Sequence, residues 1–424
     1  MILTQPQRRQ ERAVLIGLEQ EGVSKWDLRD SLEELAELAS SAGAHVVDTV
    51  TQKLPKPTAP FYIGKGKAEI IKHSFQDQQV TSVIFNNELS PAQGRYLEHL
   101  CNRKVLDRTQ LILDIFAQRA RSREGRLQIE LAQLQYLLPR LTRMWTHLSR
   151  QTGGIGTRGP GETQLEVDRR RVQERIGRLE RDLQEVRKHR AVQRQGRKRH
   201  QWPVAAVVGY TNAGKSTLLN LLTGAGVLAA DQLFATLDPT TRSFVLPNKQ
   251  RLLLTDTVGF LRNLPHTLIE SFKATLEEVA EADLLIHVVD LSHPRVEEQM
   301  EAVDTVIKEL GAYGKQTLMI FNKIDLVPNK ELASFFLEKF PGSVAISAQT
   351  GEHLGELVPA LQNALSSWRL RARYRLPVSE AALLAEVHRV GHVLEVHYED
   401  DFTNLLANVP PQLEARLAPF LEKP

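Results

Sequence analysis

A chain of 424 residues exceeds what one hydrophobic core usually covers, so about three or four units of roughly 100–150 residues each are expected. Apolar residues at 42% and charged residues at 25% are ordinary for a soluble globular protein, and no apolar run approaches the roughly 18 residues of a membrane-spanning helix. The single cysteine, Cys101, excludes an internal disulfide, and the start of the chain carries no apolar stretch that would mark it for secretion, so the expected compartment is a reducing cytoplasm.

Residues Ala13–Leu18, His45–Val50, Val80–Phe85 and Lys104–Leu106 read as short strands, separated by helical stretches at Trp26–Ala42, Lys67–Gln78 and Pro91–Cys101. Ser90 is placed to cap the last of these, with Pro91 at its first helical position. The alternation predicts βαβ units and a small parallel sheet. Between the second strand and the second helix runs Pro55-Lys56-Pro57-Thr58-Ala59-Pro60-Phe61-Tyr62-Ile63-Gly64-Lys65-Gly66-Lys67, a proline-stiffened loop ending in a Gly-x-Gly-Lys turn. It reads as a plain strand-to-helix turn, with phosphate binding as the alternative.

The next segment changes character. Leu127, Leu131, Leu134, Leu138, Leu141, Trp145 and Leu148 recur at spacings of four and three, which lines one side of a helix with apolar residues until Pro139 kinks or splits it near Leu138. A glycine-rich loop follows from Gly153 to Gln164, and then a second seam at Leu165, Val172, Ile176, Leu179, Leu183 and Val186. Two seams joined by a loop predict an antiparallel helical hairpin. Between Arg119 and His200 there are 21 Lys or Arg against nine Asp or Glu, a balance of +12; with +3 overall, the rest of the chain must sum to −9. A basic arm on an otherwise acidic protein points to a polyanionic partner, because clustered cations displace counterions from a phosphate backbone.

From Trp202 strands and helices alternate again. After the apolar run Val204–Val208 comes Gly209-Tyr210-Thr211-Asn212-Ala213-Gly214-Lys215-Ser216, with Thr217 opening a helix. The spacing fits the phosphate loop G-x-x-x-x-G-K-[ST], in which backbone N–H groups and a helix N-terminus face the phosphates. Lys215 is placed to reach the β and γ phosphates and the Ser216 hydroxyl to bind Mg²⁺. Asp256-Thr257-Val258-Gly259 ends a later strand, 40 residues after Ser216; its carboxylate can hold Mg²⁺ through a water, and the Gly259 N–H can approach the γ-phosphate. Between the two lies a switch segment, Asp231 to Arg242, containing Phe234, Ala235, Thr236, Leu237 and Asp238. A switch needs a hydroxyl that binds Mg²⁺ only while the γ-phosphate is present; Thr236 is the choice, with Thr240 and Thr241 as rivals.

Asn322-Lys323-Ile324-Asp325 also follows a strand. The Asp325 carboxylate can accept two N–H bonds from the guanine edge, a pair that adenine lacks, and this selects GTP over ATP. Asn322 would brace the loops, Lys323 would cover the base, and Ser347-Ala348-Gln349 would close the pocket, with the Ala348 N–H on the guanine oxygen. Further strands are expected at Arg251–Thr255, Leu284–Asp290, Thr317–Phe321 and Val344–Ile346, and helices at His266–Ala282, Arg295–Leu310, Asn329–Phe340 and His353–Ser367. Arg375–Pro424 reads as a small α+β unit with strands at Leu384–Val387 and Val393–His397 and a helix around Pro411–Leu421.

Gly209–Ser216, Phe234–Thr240, Asp256–Phe260 and Asn322–Asp325 resemble the motifs of P-loop GTPases in the Obg and HflX superfamily. The loop Gly153–Glu166 and the stretch Leu113–Ala120 are similar to the signatures that set the HflX family apart. The resemblance covers about Val14 to Ser367. It implies a ribosome-associated GTPase that binds the large subunit and its RNA and dissociates stalled or idle ribosomes under stress. It also implies Mg²⁺ on Ser216 and Thr236, GTP and GDP as nucleotides, and Lys215, Thr236 and Gly259 at the reacting end. Where Ras-like GTPases carry the glutamine that orients the attacking water, this chain has Phe260, which predicts slow intrinsic hydrolysis awaiting a partner. The expected organisation is an N-terminal α/β domain (1–120), a basic helical hairpin (121–200), a P-loop GTPase domain with a parallel sheet (201–368) and a small C-terminal unit (369–424). The oligomeric state stays open, a monomer being the default expectation.

Overall fold

The computed structural model describes residues 11–22, 24–77, 79–141, 164–199, 202–224, 233–234, 236–247, 250–262, 276–365, 370–409 and 411–422. The chain divides into two compact units, one built chiefly from Met1–Glu185 and the other from Val186–Asn263 with Phe272–Pro424. The glycine-rich loop at 153–163, Leu148 and Trp145 of the first seam, and Ala235 lie outside the described residues.

In the first unit, strands β1 (Glu11–Glu19), β2 (Ala44–Lys53), β3 (Ser82–Phe85) and β4 (Lys104–Asp107) form a parallel sheet in the order β2-β1-β3-β4. Four helices cover it: α1 (Lys25–Ser41), α2 (Lys65–Asp77), α3 (Pro91–Cys101) and α4 (Arg108–Arg119). Val14, Ile16 and Leu18 pack under α2 and α3, whereas Gly17 meets Leu28 and Leu32 of α1, so α1 lies on the opposite layer. Ser24 and Ser90 cap α1 and α3 through reciprocal boxes with Asp27 and Gln93. Helix α4 is absent from the sequence reading because Asp107 is both the last residue of β4 and the N-cap of α4, accepting from the Gln110 N–H at 2.9 Å, so no turn residues punctuate the change. Helix α2 starts at Lys65, and the Gly64 N–H donates to Gln52 Oε1 at 2.9 Å, which commits that amide of the Gly-x-Gly-Lys turn within the fold.

Helix α5 (Arg123–Leu137) stops just before Pro139, where its missing N–H would break the ladder. Helix α6 (Gln164–Arg199) runs for 36 residues. The two apolar seams meet: Leu131, Leu179 and Leu183 are buried together, flanked by Leu127, Leu134 and Ile176. Arg175 adds a two-pronged pair to Glu130 at 2.7 and 2.9 Å.

The second unit holds a six-stranded sheet in the order β10-β9-β8-β5-β7-β6. Its members are β5 (Val204–Gly209), β6 (Thr240–Val245), β7 (Arg251–Asp256), β8 (Leu284–Asp290), β9 (Thr317–Asn322) and β10 (Val344–Ala345). All run parallel except β6, an antiparallel edge strand on β7. Its first three residues fall in the expected switch segment Asp231–Arg242, and a half-exposed polar strand such as Thr-Thr-Arg-Ser-Phe-Val lacks the continuous apolar run that marks the inner strands. Helices α7 (Lys215–Thr223), α8 (Val296–Glu309), α9 (Lys330–Lys339) and α10 (Leu354–Ala364) pack on the sheet, and residues 276–281 are helical.

At the C-terminal end, β11 (Leu370–Pro377), β12 (His392–Tyr398) and β13 (Phe402–Val409) form an antiparallel sheet with β13 at its centre, joined by α11 (Ala381–Val390) and α12 (Pro411–Leu417). The expected strand at Leu384–Val387 is a helix. Leu383 and Val387 are the buried pair, four residues apart, and Ala381, Ala382 and Ala385 favour a helix over the period of two that a strand would need. Among the described residues no helix is long and apolar enough to cross a membrane.

Candidate functional site

Strand β5 delivers the chain into the loop Tyr210–Gly214, and α7 starts at Lys215 with Gly214 as its N-cap. Gly214 has φ +94°, and a Cβ there would fall 2.2 Å from Asn322 Nδ2, so both conformation and space call for glycine. Lys215 is buried and its ammonium donates to the carbonyls of Gly209 (3.1 Å) and Tyr210 (2.6 Å). Burial pulls its pKa down to about 8, against the opposing pull of Asp256. His287, buried on β8 and facing Lys215, is pushed down to about 4 mainly by burial.

Three oxygen-bearing side chains converge from three segments. Ser216 Oγ donates to Asp256 Oδ2 at 2.7 Å, Thr236 Oγ1 donates to the same oxygen at 2.9 Å, and the two hydroxyls lie 2.8 Å apart. Asp256 Oδ1 is buried with no hydrogen-bond partner, and burial raises the carboxyl above its usual range. A carboxylate with an orphaned oxygen beside two hydroxyls is a donor set suited to a small hard cation that keeps waters and takes further oxygens from a substrate phosphate. Of the rival threonines, Thr241 lies in β6 bonded to Thr255 Oγ1 at 3.0 Å, and Thr240 turns its hydroxyl to the Asp238 carbonyl at 3.5 Å. Only Thr236 of the three bonds Asp256 and Ser216. Leu233, Phe234 and Leu237 around it are buried.

The loop after β7 lies against the phosphate loop. Thr257 Oγ1 donates to the Val207 carbonyl at 2.7 Å, and Val258 is buried. A Cβ on Gly259 would meet Thr211 Cα and Lys215 Nζ at 2.9 Å each, so this approach too requires glycine. The Phe260 N–H donates to the Gly209 carbonyl at 3.1 Å, and the Phe260 carbonyl accepts from the Thr211 N–H at 2.8 Å. The Phe260 ring is buried. Tyr210 Oη accepts from the Arg262 N–H at 2.9 Å, and Arg262 pairs with Glu298 at 2.8 Å.

Asn322 joins the phosphate loop to the far strands: its Nδ2 donates to the Ala213 carbonyl and its Oδ1 accepts from the Ala348 N–H, both at 2.8 Å. The Ala348 amide, expected for the guanine oxygen, is taken by that bond. Lys323 has φ +64° and pairs with Asp290 at 2.6 Å. Asp325 sits exposed in the one-turn helix Ile324–Leu326, while Ser347 is buried and Gln349 exposed. Sequence reasoning missed Asp290, His287, Arg262 and the hydroxyl role of Tyr210. Their partners lie dozens of residues away, and only the strand-end position of Asp290 offered a signal.

Three family profiles match the chain: one described as "GTP-binding GTPase N-terminal" over residues 29–117, one as "GTP-binding GTPase Middle Region" over 119–197, and one as "50S ribosome-binding GTPase" over 204–323. The protein named GTPase HflX from Lacrimispora saccharolytica is 47% identical over 411 residues, covering 96% of each chain. Its namesake from Escherichia coli K12 is 47% identical over 376 residues, covering 88% of each. Among solved structures, a GTP-binding protein of Sulfolobus solfataricus in complex with GDP aligns at 25% identity and a TM-score of 0.46, over 84% of this chain and 99% of that one.

Proposed function

The chain belongs to the HflX family of GTPases, and we propose that it binds the large ribosomal subunit and splits stalled or idle ribosomes, with GTP hydrolysis stimulated by the ribosome. The convergence of Ser216, Thr236 and Asp256 on one point beside Lys215 carries the nucleotide half of this reading. Thr236 comes from the segment expected to switch, so a hydroxyl that belongs to the cation site is tied to a loop that can leave it. Ser216 and Thr236 are the residues that would hold Mg²⁺, with Asp256 behind them. When bound, the ion would neutralise charge between the β and γ phosphates.

The chain's own groups do the rest. Lys215 supplies a buried cation for the phosphates, and Gly259 brings its backbone close to Lys215 and Thr211, where its N–H would sense a γ-phosphate. Asp325, exposed on its turn, is free to face the guanine edge, and Asn322 holds the base loops to the phosphate loop. The buried Phe260 offers no group to orient a water, so the site can bind and gate before it can hydrolyse fast. The basic hairpin, proposed as residues 121–200, is the RNA-contacting arm, since α6 has 13 Lys or Arg within Gln164–Arg199 while sharing its apolar seam with α5. Residues 1–120, 201–368 and 369–424 complete the proposed division into domains. A monomeric state and a cytoplasmic location complete the reading.

Two measurements test it. A steady-state GTPase assay is expected to show strong stimulation by purified large subunits, and equal rates with and without them would sink the catalytic half. Sedimentation of 70S ribosomes with the protein and a non-hydrolysable GTP analogue is expected to convert joined ribosomes into subunits. Co-migration without splitting would instead favour a GTP-gated RNA-binding or assembly factor.

A further inference from the structure

The strap from Thr257 to Arg262 is fastened at both ends and in the middle. Thr257 Oγ1 holds its upstream end to the Val207 carbonyl at 2.7 Å. Phe260 forms a parallel bridge with Tyr210, its N–H donating to the Gly209 carbonyl at 3.1 Å and its carbonyl accepting from the Thr211 N–H at 2.8 Å. The downstream end is held by the Arg262 N–H, which donates to Tyr210 Oη at 2.9 Å. Of these three bonds to the phosphate loop, that of Tyr210 alone depends on a side chain, and its ring is buried.

Fastened in this way, the strap leaves no room for a terminal phosphate between Gly259 and Lys215. A phosphate oxygen held by the Lys215 ammonium stands about 2.7–2.9 Å from Nζ. On the Gly259 side that place is where a Cβ would stand, 2.9 Å from Nζ, but also 2.8 Å from Thr211 Cγ2 and 2.9 Å from Thr211 Cα. Oxygen meets carbon at about 3.3–3.6 Å, so nothing larger than hydrogen fits there. A γ-phosphate that touches both Lys215 and the Gly259 N–H therefore needs the strap drawn back from Thr211. The closed strap also strands a hydroxyl, because Thr211 Oγ1 is buried without a hydrogen-bond partner. Drawing the strap back to admit water or a phosphate oxygen removes that cost. Two hydroxyls on neighbouring residues thus pull the strap in opposite directions.

We propose that the Tyr210 hydroxyl is a latch that sets the preference of this site between GDP and GTP: bonded to the Arg262 amide, it holds the strap over the γ-phosphate position, and a triphosphate binds once that bond opens. GDP ends at the β phosphate and leaves the strap in place. The Arg262 guanidinium is a minor partner. Its pair with Glu298 of α8 at 2.8 Å is shared with Arg295 at 3.1 Å, and the Arg262 and Glu298 side chains are 38% and 43% exposed, so water screens it. Tyr210 acts through the placement of Gly259, which makes it a positioning residue. The inference rests on the guanine-nucleotide reading of this site and is independent of the ribosome.

The test uses the full chain without ribosomes. Affinities for GDP and for the β,γ-imido analogue of GTP are measured by calorimetry for the parent, Tyr210→Phe and Arg262→Ala, the last of which keeps the amide donor. Tyr210→Phe is expected to raise the affinity for the analogue roughly five-fold relative to GDP, the equivalent of one hydrogen bond of ordinary net strength. KM for GTP is expected to fall by the same factor with kcat unchanged, because a bound triphosphate has already opened the latch. Arg262→Ala is expected to move the ratio by less than about two-fold, as a screened pair should. A ratio in Tyr210→Phe within about two-fold of the parent would overturn the inference, including the case in which both nucleotides weaken together, the mark of a residue that merely supports the fold. A shift in Arg262→Ala as large as that in Tyr210→Phe would also overturn it, by assigning the latch to the ion pair. A parent chain that binds neither nucleotide would overturn the guanine-nucleotide reading, and the latch with it.

Discussion

Replacing Asn322 by alanine removes one side chain that serves two distant loops. Its Nδ2 is the donor to the Ala213 carbonyl and its Oδ1 the acceptor for the Ala348 N–H, at 2.8 Å each, and both alanines are buried. The variant leaves a carbonyl and an amide in the interior without partners, at about 1–3 kcal/mol apiece, less whatever a water entering the vacated space restores. A loss of about 2–4 kcal/mol is therefore expected. At a urea slope of about 2 kcal/mol/M this shifts the unfolding midpoint down by roughly 1–2 M. Trp202, which enters β5, reports the transition by fluorescence in a chain whose other three tryptophans are replaced by phenylalanine. GDP affinity should fall in parallel, because the same bonds set the distance between the phosphate loop and the Asp325 turn. Lys323→Ala, which breaks only the pair with Asp290, should cost no more than about 1 kcal/mol. An Asn322→Ala protein within about 0.5 kcal/mol of the parent, with unchanged GDP affinity, would refute the view that this residue carries the link.

Three further outcomes are expected. Lys215 has its pKa lowered to about 8 from an unfolded value near 10.5. The folded state therefore gives up this proton first as pH rises, and the group's contribution to stability increases across that window. Bound phosphates favour the ammonium, so GDP binding should take up a proton above pH 8; calorimetry at pH 9 in two buffers of different ionisation enthalpy measures it, and zero uptake would contradict the buried-cation account. His287 lies at about 4 against an unfolded value near 6.5, so the stability it contributes is complete above pH 6.5 and is lost as pH falls toward 4, by about 3 kcal/mol. His287→Leu should flatten the unfolding midpoint across that range, and an unaltered acid limb would exclude the group as its source. Asp325→Asn should move the base preference from guanine toward xanthine nucleotides, as read by competition binding, and an unchanged preference would remove Asp325 from the base site.

The parts legible in the sequence were those in which chemistry demands particular residue types at close spacing. The glycines and Lys215–Ser216 of the phosphate loop stand within eight residues, and the inner strands announce themselves as apolar runs. What escaped depended on partners far away in sequence or on residues with two duties. Asp107 ends a strand and caps a helix, which concealed α4. The edge strand β6 has no buried residue and borrowed its identity from β7 across the sheet. The tether from Tyr210 to Arg262 links positions 52 residues apart through a backbone amide, which no side-chain pattern can reveal. Phe260 shows how the two kinds of knowledge combine. As a letter it signified only a missing glutamine. In the fold, its amide and carbonyl clasp Gly209 and Thr211 while its ring is buried, so the residue in the glutamine's place spends its backbone on holding the switch loop to the phosphate loop. Any group that orders the attacking water must then either arrive from a partner or wait until that clasp opens.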